Sequence, residues 1–153
     1  MEMLFLEDYQ VGKVSRTGEM HVSADEIVQF ACQWDPQPFH VDVEAARQSM
    51  HGGLIACSAH VFAVFTKLAN TIEPQSAALA ALGFDELRMV KPLRAGDRVS
   101  LSSECVEVRR SRSKPDRGIV RSMIKLTNHT GETVFTVISS FLVRARDGGD
   151  SES

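Results

Sequence analysis

No stretch of this 153-residue sequence holds the roughly 18 consecutive apolar residues that a bilayer-spanning helix needs. Its first dozen residues, MEMLFLEDYQVG, carry acidic side chains where a secretory leader would carry basic ones. Neither an exported nor a membrane-inserted chain is expected. Cysteine is scarce as well: Cys32, Cys57 and Cys105 are odd in number and form no C-x-x-C pair, which fits a reducing, cytoplasmic compartment better than a disulfide framework. Positive charge is not in surplus. With 17 Lys and Arg against 20 Asp and Glu the net charge is −3, so a nucleic-acid partner is not expected. Internal repeats are lacking, and the polar, glycine-bearing residues Asp147 to Ser153 read as a disordered tail.

What the sequence has is an ordinary apolar share of 43% in a length suited to one domain, spanning residues 1–146, with a core of its own. Ser23-Ala24-Asp25-Glu26 has the spacing of a capping box, and Ile27, Phe30, Ala31 and Trp34 recur at three- and four-residue intervals. Together they predict a helix that Pro36 and Pro38 stop near Trp34. A short helix is predicted over Val43 to Gln48 with Asp42 as its N-cap. The main helix is predicted from about Leu54 to Ala69, and its near-complete lack of a polar face requires burial on most sides. After Pro74 and an alanine-rich connector the pattern becomes β-type, over Phe84 to Val90, Val99 to Val108, Gly118 to Thr127 and Glu132 to Val143. One buried helix followed by successive antiparallel strands predicts an α+β hotdog architecture, a curved sheet wrapped around the helix. Its open edges favour pairing with a second copy.

The stretch from Asp35 to Cys57, DPQPFHVDVEAARQSMHGGLIAC, carries the chemistry. Pro36 and Pro38 fix their own φ angles and bias Asp35 and Gln37 away from helical geometry, which predicts a stiff, extended loop holding Asp35 and His40 in a fixed relation. Downstream, Gly52 and Gly53 lead into the apolar helix, where backbone N–H groups at a helix start can polarise an acyl oxygen. An acid, a base and an oxyanion site within about thirty residues suit a compact active site. Other readings exist for the same residues. Asp35 can simply bond its own backbone, and His40 can be a structural histidine. His40-Val41-Asp42 resembles a pair of metal ligands, but no further ligands follow at zinc-like spacing, so no metal is expected. Cys57 and His60, three residues apart, fit a nucleophile and its base, although a buried cysteine is usually an inert small hydrophobe. His60 is expected to be buried and hydrogen-bonded.

At Asp35, Gln37, Pro38 and His40 the loop resembles the D-x-N-P-x-H signature of the MaoC-like dehydratase family, relatives of the (R)-specific enoyl-CoA hydratases. His51-Gly52-Gly53-Leu54-Ile55-Ala56 resembles that family's H-G-x-L-x-A segment, and Pro92 to Asp97 its P-x-x-x-G-D turn. Ser111 to Gly118 is similar to a loop of one bacterial subgroup. The resemblance implies the hotdog fold and reversible addition of water to a 2-enoyl-CoA thioester, with no cofactor beyond the coenzyme A of the substrate. It assigns catalysis to Asp35 and His40 and the oxyanion hole to Gly53 and Gly52. Gln37, Pro38, Phe39, His51, Cys57 and Ser58 become candidate substrate contacts. Gln37 departs from the commoner asparagine and Cys57 from the commoner serine. The implied partner is a second copy, in a homodimer or a dimer of dimers.

Arg109, Arg110, Arg112, Lys114 and Arg117 concentrate positive charge near a predicted hairpin. A solvated loop is one reading. The other gives Arg112 and Arg117 a grip on CoA phosphates, since guanidinium binds phosphate in bidentate fashion. Asp116 in the same loop is placed to pair with them instead. Two rivals to hydration stay open from sequence: a thioesterase on the same fold, and a non-catalytic acyl-CoA-binding subunit.

Overall fold

The computed structural model describes residues 2–146. The tail expected over 147–153 lies outside them. A 3-10 turn at Leu6–Asp8 precedes two short strands, β1 (Val14–Arg16) and β2 (Met20–His21). Three helices follow: α1 (Ala24–Trp34), α2 (Pro38–Val41) and α3 (Val43–Gln48). Next come the central helix α4 (Ser58–Ala69) and four long strands, β3 (Ala78–Met89), β4 (Arg98–Arg110), β5 (Arg117–Asn128) and β6 (Thr133–Arg144). All strand pairings are antiparallel, in the order β1-β4-β5-β6-β3, with β2 also on β4. This is the hotdog arrangement the strand pattern predicts.

Local signals placed the first helices well. Ser23 accepts a hydrogen bond from the Glu26 N–H at 3.1 Å, and Asp42 accepts from Glu44 and Ala45 at 2.9 and 3.0 Å. Such caps satisfy amides that a helix start leaves open. Two boundaries differ from expectation. The predicted extended loop after Asp35 contains one helical turn, α2, because Pro38 at its first position presets the helical φ and has no N–H to lose. The central helix begins at Ser58 rather than Leu54. The backbone of residues 54–56 is committed elsewhere: the Ala56 N–H donates to the Leu93 carbonyl at 2.8 Å, and Ala95 donates to Leu54 at 3.2 Å. Strand β3 starts six residues earlier than the pattern suggested. Its alanines lack β-type side chains, and it is pairing with β6, from Ala78 opposite Val143 onward, that makes them a strand.

The core lies between α4 and the concave face of the sheet. Val61, Val64, Phe65 and Leu68 of α4 pack with Leu101, Ile124, Leu126, Phe135 and Val137. Burial of α4 is less complete than predicted, for Ser58, Ala59 and Lys67 are exposed and Phe62, Ala63 and Thr66 only half-buried. A second small core, with Leu6, Cys105, Val120 and Val143, sits at the other end of the sheet under the N-terminal turn. Gly118 makes that closure possible. A Cβ there would lie 2.5 Å from a Leu6 methyl and 2.6 Å from the Arg109 carbonyl oxygen, so β5 and the N-terminal turn touch across a bare backbone. Gly118→Ala is therefore expected to destabilise the fold by about 1–3 kcal/mol, the usual cost of overpacking. Urea unfolding followed by circular dichroism measures it, and an unchanged midpoint would refute the close-approach argument.

Candidate active site

Asp35 is the C-cap of α1, its N–H bonded to the Ala31 carbonyl at 2.8 Å. His40 lies in the α2 turn. Its Nδ1 is 2.7 Å from the Ile55 carbonyl oxygen, which can only accept, so Nδ1 carries the proton. In the neutral imidazole the lone pair is then on Nε2, which faces Asp35 Oδ2 at 3.6 Å. That separation is too long for a hydrogen bond. It holds the two groups side by side, both able to bond a third atom between them. The His40 side chain is 7% exposed and that of Asp35 39%, so the imidazole is fixed in protein while the carboxylate opens to solvent. Phe39 braces the base edge-on, with ring centroids 4.5 Å apart, and also contacts His51 at 5.1 Å.

Asp35 and His40 lie in a cleft of about 600 Å³. Of the residues expected from sequence, Gln37, Phe39, His51 and Ser58 join them there. Pro38 acts from behind, as the first residue of α2. Gly52 and Gly53 do not line the cleft and are not at a helix start. The Gly52 N–H is bonded to the Ser49 carbonyl at 3.1 Å, while that of Gly53 has no partner among the described residues. Arg94 steadies this turn by donating to the His51 carbonyl at 2.7 Å. Cys57 is buried and is the N-cap of α4 rather than a residue of its face, and it offers the helix no side-chain cap. The first-turn amides of α4 consequently meet no capping side chain, and Ser58 brings them to the wall of the cleft.

Arg112 and Arg117 are not near this cleft within one chain. Arg117 pairs with Arg144, whereas the cleft lies beyond Leu126, which pairs with Phe135 opposite Met89. The nine residues between are roughly 30 Å of strand at ~3.3 Å each. Arg117 instead forms a fork with Asp116, at 2.9 and 3.0 Å, and that hydrogen bond holds the Asp116 carboxyl below the usual range. Sequence reasoning missed the opposite wall: Met89, Val90, Lys91 and Leu93 line the cleft from the end of β3. Lys91 is ion-paired with Glu132, which does not line the cleft. Their only signal was adjacency to the Pro92 to Asp97 turn, in which Gly96 takes φ +89° and the Asp97 carboxylate caps the Arg94 N–H at 2.9 Å.

His60 is buried as expected but not hydrogen-bonded: Nδ1 has no partner, and the ring stacks on Phe30 with centroids 4.5 Å apart and planes 7° from parallel. It makes no hydrogen bond with Cys57 among the described residues, which removes the nucleophile-and-base reading. Burial pushes its pKa below the ordinary value of about 6.5, against a smaller upward pull from Glu26. A lowered histidine pKa means that the unfolded chain takes up a proton the folded chain refuses. Its stability contribution is complete above about pH 6.5 and declines as pH falls toward the folded value. The urea midpoint is therefore expected to drop between pH 7.5 and 5.5, and His60→Phe should shrink that drop. An equal drop in the variant would show that His60 is not its source.

A family model described as the MaoC like domain matches residues 8–126. The crystal structure of a MaoC-like dehydratase from Rhodospirillum rubrum is 37% identical, with a TM-score of 0.88 over 94% of this chain and 98% of that one. YdeM, an uncharacterized protein of Bacillus subtilis, is 28% identical over 142 residues, covering 91% of this chain and 98% of its own length. An unliganded (R)-hydratase of Pseudomonas aeruginosa has the same fold, with a TM-score of 0.75 and 20% identity over 93% of this chain and 86% of its own. No described helix is long and apolar enough to cross a membrane.

Proposed function

The chain belongs to the MaoC-like domain family, and from that membership we propose that it adds water to, or removes it from, the C2–C3 bond of an acyl-CoA thioester. The observation that carries this reading is the anchored His40, whose Nε2 is held 3.6 Å from Asp35 Oδ2 in an open cleft. In the hydration direction a water bound between these two atoms gives one proton to the pair and its oxygen attacks C3. The electrons of the C2–C3 bond move onto the thioester oxygen, and the pair returns a proton to C2. General acid and base help of this kind is worth ~10²–10⁴-fold.

The charge that grows on the thioester oxygen needs donors. The uncapped first-turn amides of α4, which reach the wall of the cleft at Ser58, are the candidates, whereas Gly52 and Gly53, expected from sequence, lie outside it. One such donor contributes on the order of 3 kcal/mol. Gln37, His51 and Ser58 are assigned to substrate contact. The reaction needs no metal or other cofactor, since coenzyme A arrives as part of the substrate.

The working unit is a homodimer. The outer edge of β3 has no strand on it among the described residues, and Leu79, Leu82, Phe84, Leu87 and Met89 are exposed along it. A long apolar edge of this kind invites a strand from a second copy, and two-fold pairing of β3 with itself is antiparallel. Such pairing carries the second copy's Arg112 and Arg117 hairpin toward the cleft, where those side chains can reach the phosphates of a bound CoA. The unpaired cysteines support a reducing, cytoplasmic setting.

Loss of enoyl-thioester absorbance across a panel of 2-enoyl-CoA substrates tests the chemistry. Wild type is expected to turn over at least one chain length, with Asp35→Asn and His40→Ala each slower by several hundredfold or more. Release of free thiol would instead establish a thioesterase, and binding without turnover a non-catalytic subunit. Light scattering on a sizing column tests the assembly: Leu82→Lys should convert a dimer to a monomer, and a monomeric wild type would overturn the pairing.

A further inference from the structure

A second cavity, of about 500 Å³, lies under the C-terminal half of α4, between the concave face of the sheet and the first half of β3. Its floor breaks the pattern of the strands that build it. Along β5 the inward residues are Val120, Ser122, Ile124 and Leu126, and along β6 they include Val137, Ser139 and Val143. Ser122 and Ser139 are register partners, and Ser103, opposite Ile124, adds a third hydroxyl from β4. Ser122 is 4% and Ser139 8% exposed, yet neither side chain, nor that of Ser103, forms a hydrogen bond with another described residue. β-branched side chains suit such interior strand positions. None of the three oxygens is among the hydroxyls buried without a partner, so each stays open to the cavity, where a ligand atom can bond it. The described residues that line the cavity include no Lys, Arg, His, Asp or Glu.

We infer that Ser103, Ser122 and Ser139 recognise a neutral oxygen on the acyl tail of the substrate, so that the protein selects thioesters with a hydroxyl, keto or ether group on the tail over plain hydrocarbon ones. This rests on the acyl-CoA reading and on the β3 pairing given above. Within one chain the cavity is walled off from Asp35 and His40 by Phe62, Phe65, Phe84 and Phe135, whose ring centroids lie 4.9–6.3 Å apart. The serine cavity abuts the Ala78 end of β3 and the catalytic cleft the Met89 end. Antiparallel pairing of two β3 strands sets the first end of one copy beside the last end of the other, so a tail leaving one cleft enters the serine cavity of the second copy. With no cation in the lining, a tail carboxylate would lose its hydration without compensation, so the oxygen is a neutral one.

Titration calorimetry with saturated six-carbon thioesters separates this inference from the catalytic one, since those ligands cannot be hydrated. Wild type is expected to bind 5-oxohexanoyl-CoA or 6-hydroxyhexanoyl-CoA about tenfold more tightly than hexanoyl-CoA, and adipoyl-CoA no better than hexanoyl-CoA. The Ser122→Ala, Ser139→Ala double variant should lose that preference while keeping its affinity for hexanoyl-CoA. Equal affinities in wild type, a preference that survives in the double variant, or no binding of any of these thioesters overturns the inference. Enoyl-CoA turnover with no such preference would leave hydration standing and remove the serine selection alone. A preference without turnover would do the reverse.

Discussion

The hydrogen bond from His40 Nδ1 to the Ile55 carbonyl, at 2.7 Å, is the contact on which the site depends. It fixes the tautomer of the base, and it ties the α2 turn to the short stretch that leads into the central helix. That stretch is held in turn by the bonds of residues 54–56 to 93–95. Three segments distant in sequence are thus locked by backbone atoms around one imidazole. Asp35 is positioned independently, by the last turn of α1. The Asp35–His40 distance is therefore set by how α1 and α2 pack, with no direct bond between the two side chains.

The same economy shapes the rest of the molecule. The sheet encloses α4 on one side and leaves Ser58, Ala59 and Lys67 exposed, and among the described residues the outer edge of β3 carries no strand. Within one chain the aromatic cluster of Phe62, Phe65, Phe84 and Phe135 separates the two cavities.

Much of this was readable in the sequence where the signal was local. The capping residues Ser23 and Asp42 announced α1 and α3, and the turn around Gly96-Asp97 announced the start of β4. Asp35 and His40 were legible because two prolines and a motif resemblance framed them. What could not be read was whatever a distant partner decides. Residues 54–56 look helical and are extended because 93–95 claims their backbone. Ala78 to Ala81 look like a connector and are strand because β6 pairs with them. The tautomer of His40 is likewise set by a carbonyl, an atom common to every residue type, so no letter at position 55 could have signalled it.

The N-terminal turn is fastened mostly by exposed charges. Glu7 is 2.7 Å from Arg110, Asp8 is 2.8 Å from Arg146, and the Arg146 guanidinium lies 5.0 Å above the Phe5 ring. Contacts of this kind are weak singly and are screened by salt, whereas Leu6 beneath them fills the small second core against Gly118. This end of the molecule is a latch made of brine-sensitive parts over a greasy seat. Local opening is least costly there, at the end of the sheet away from Asp35 and His40 within one chain, and added salt lowers that cost further.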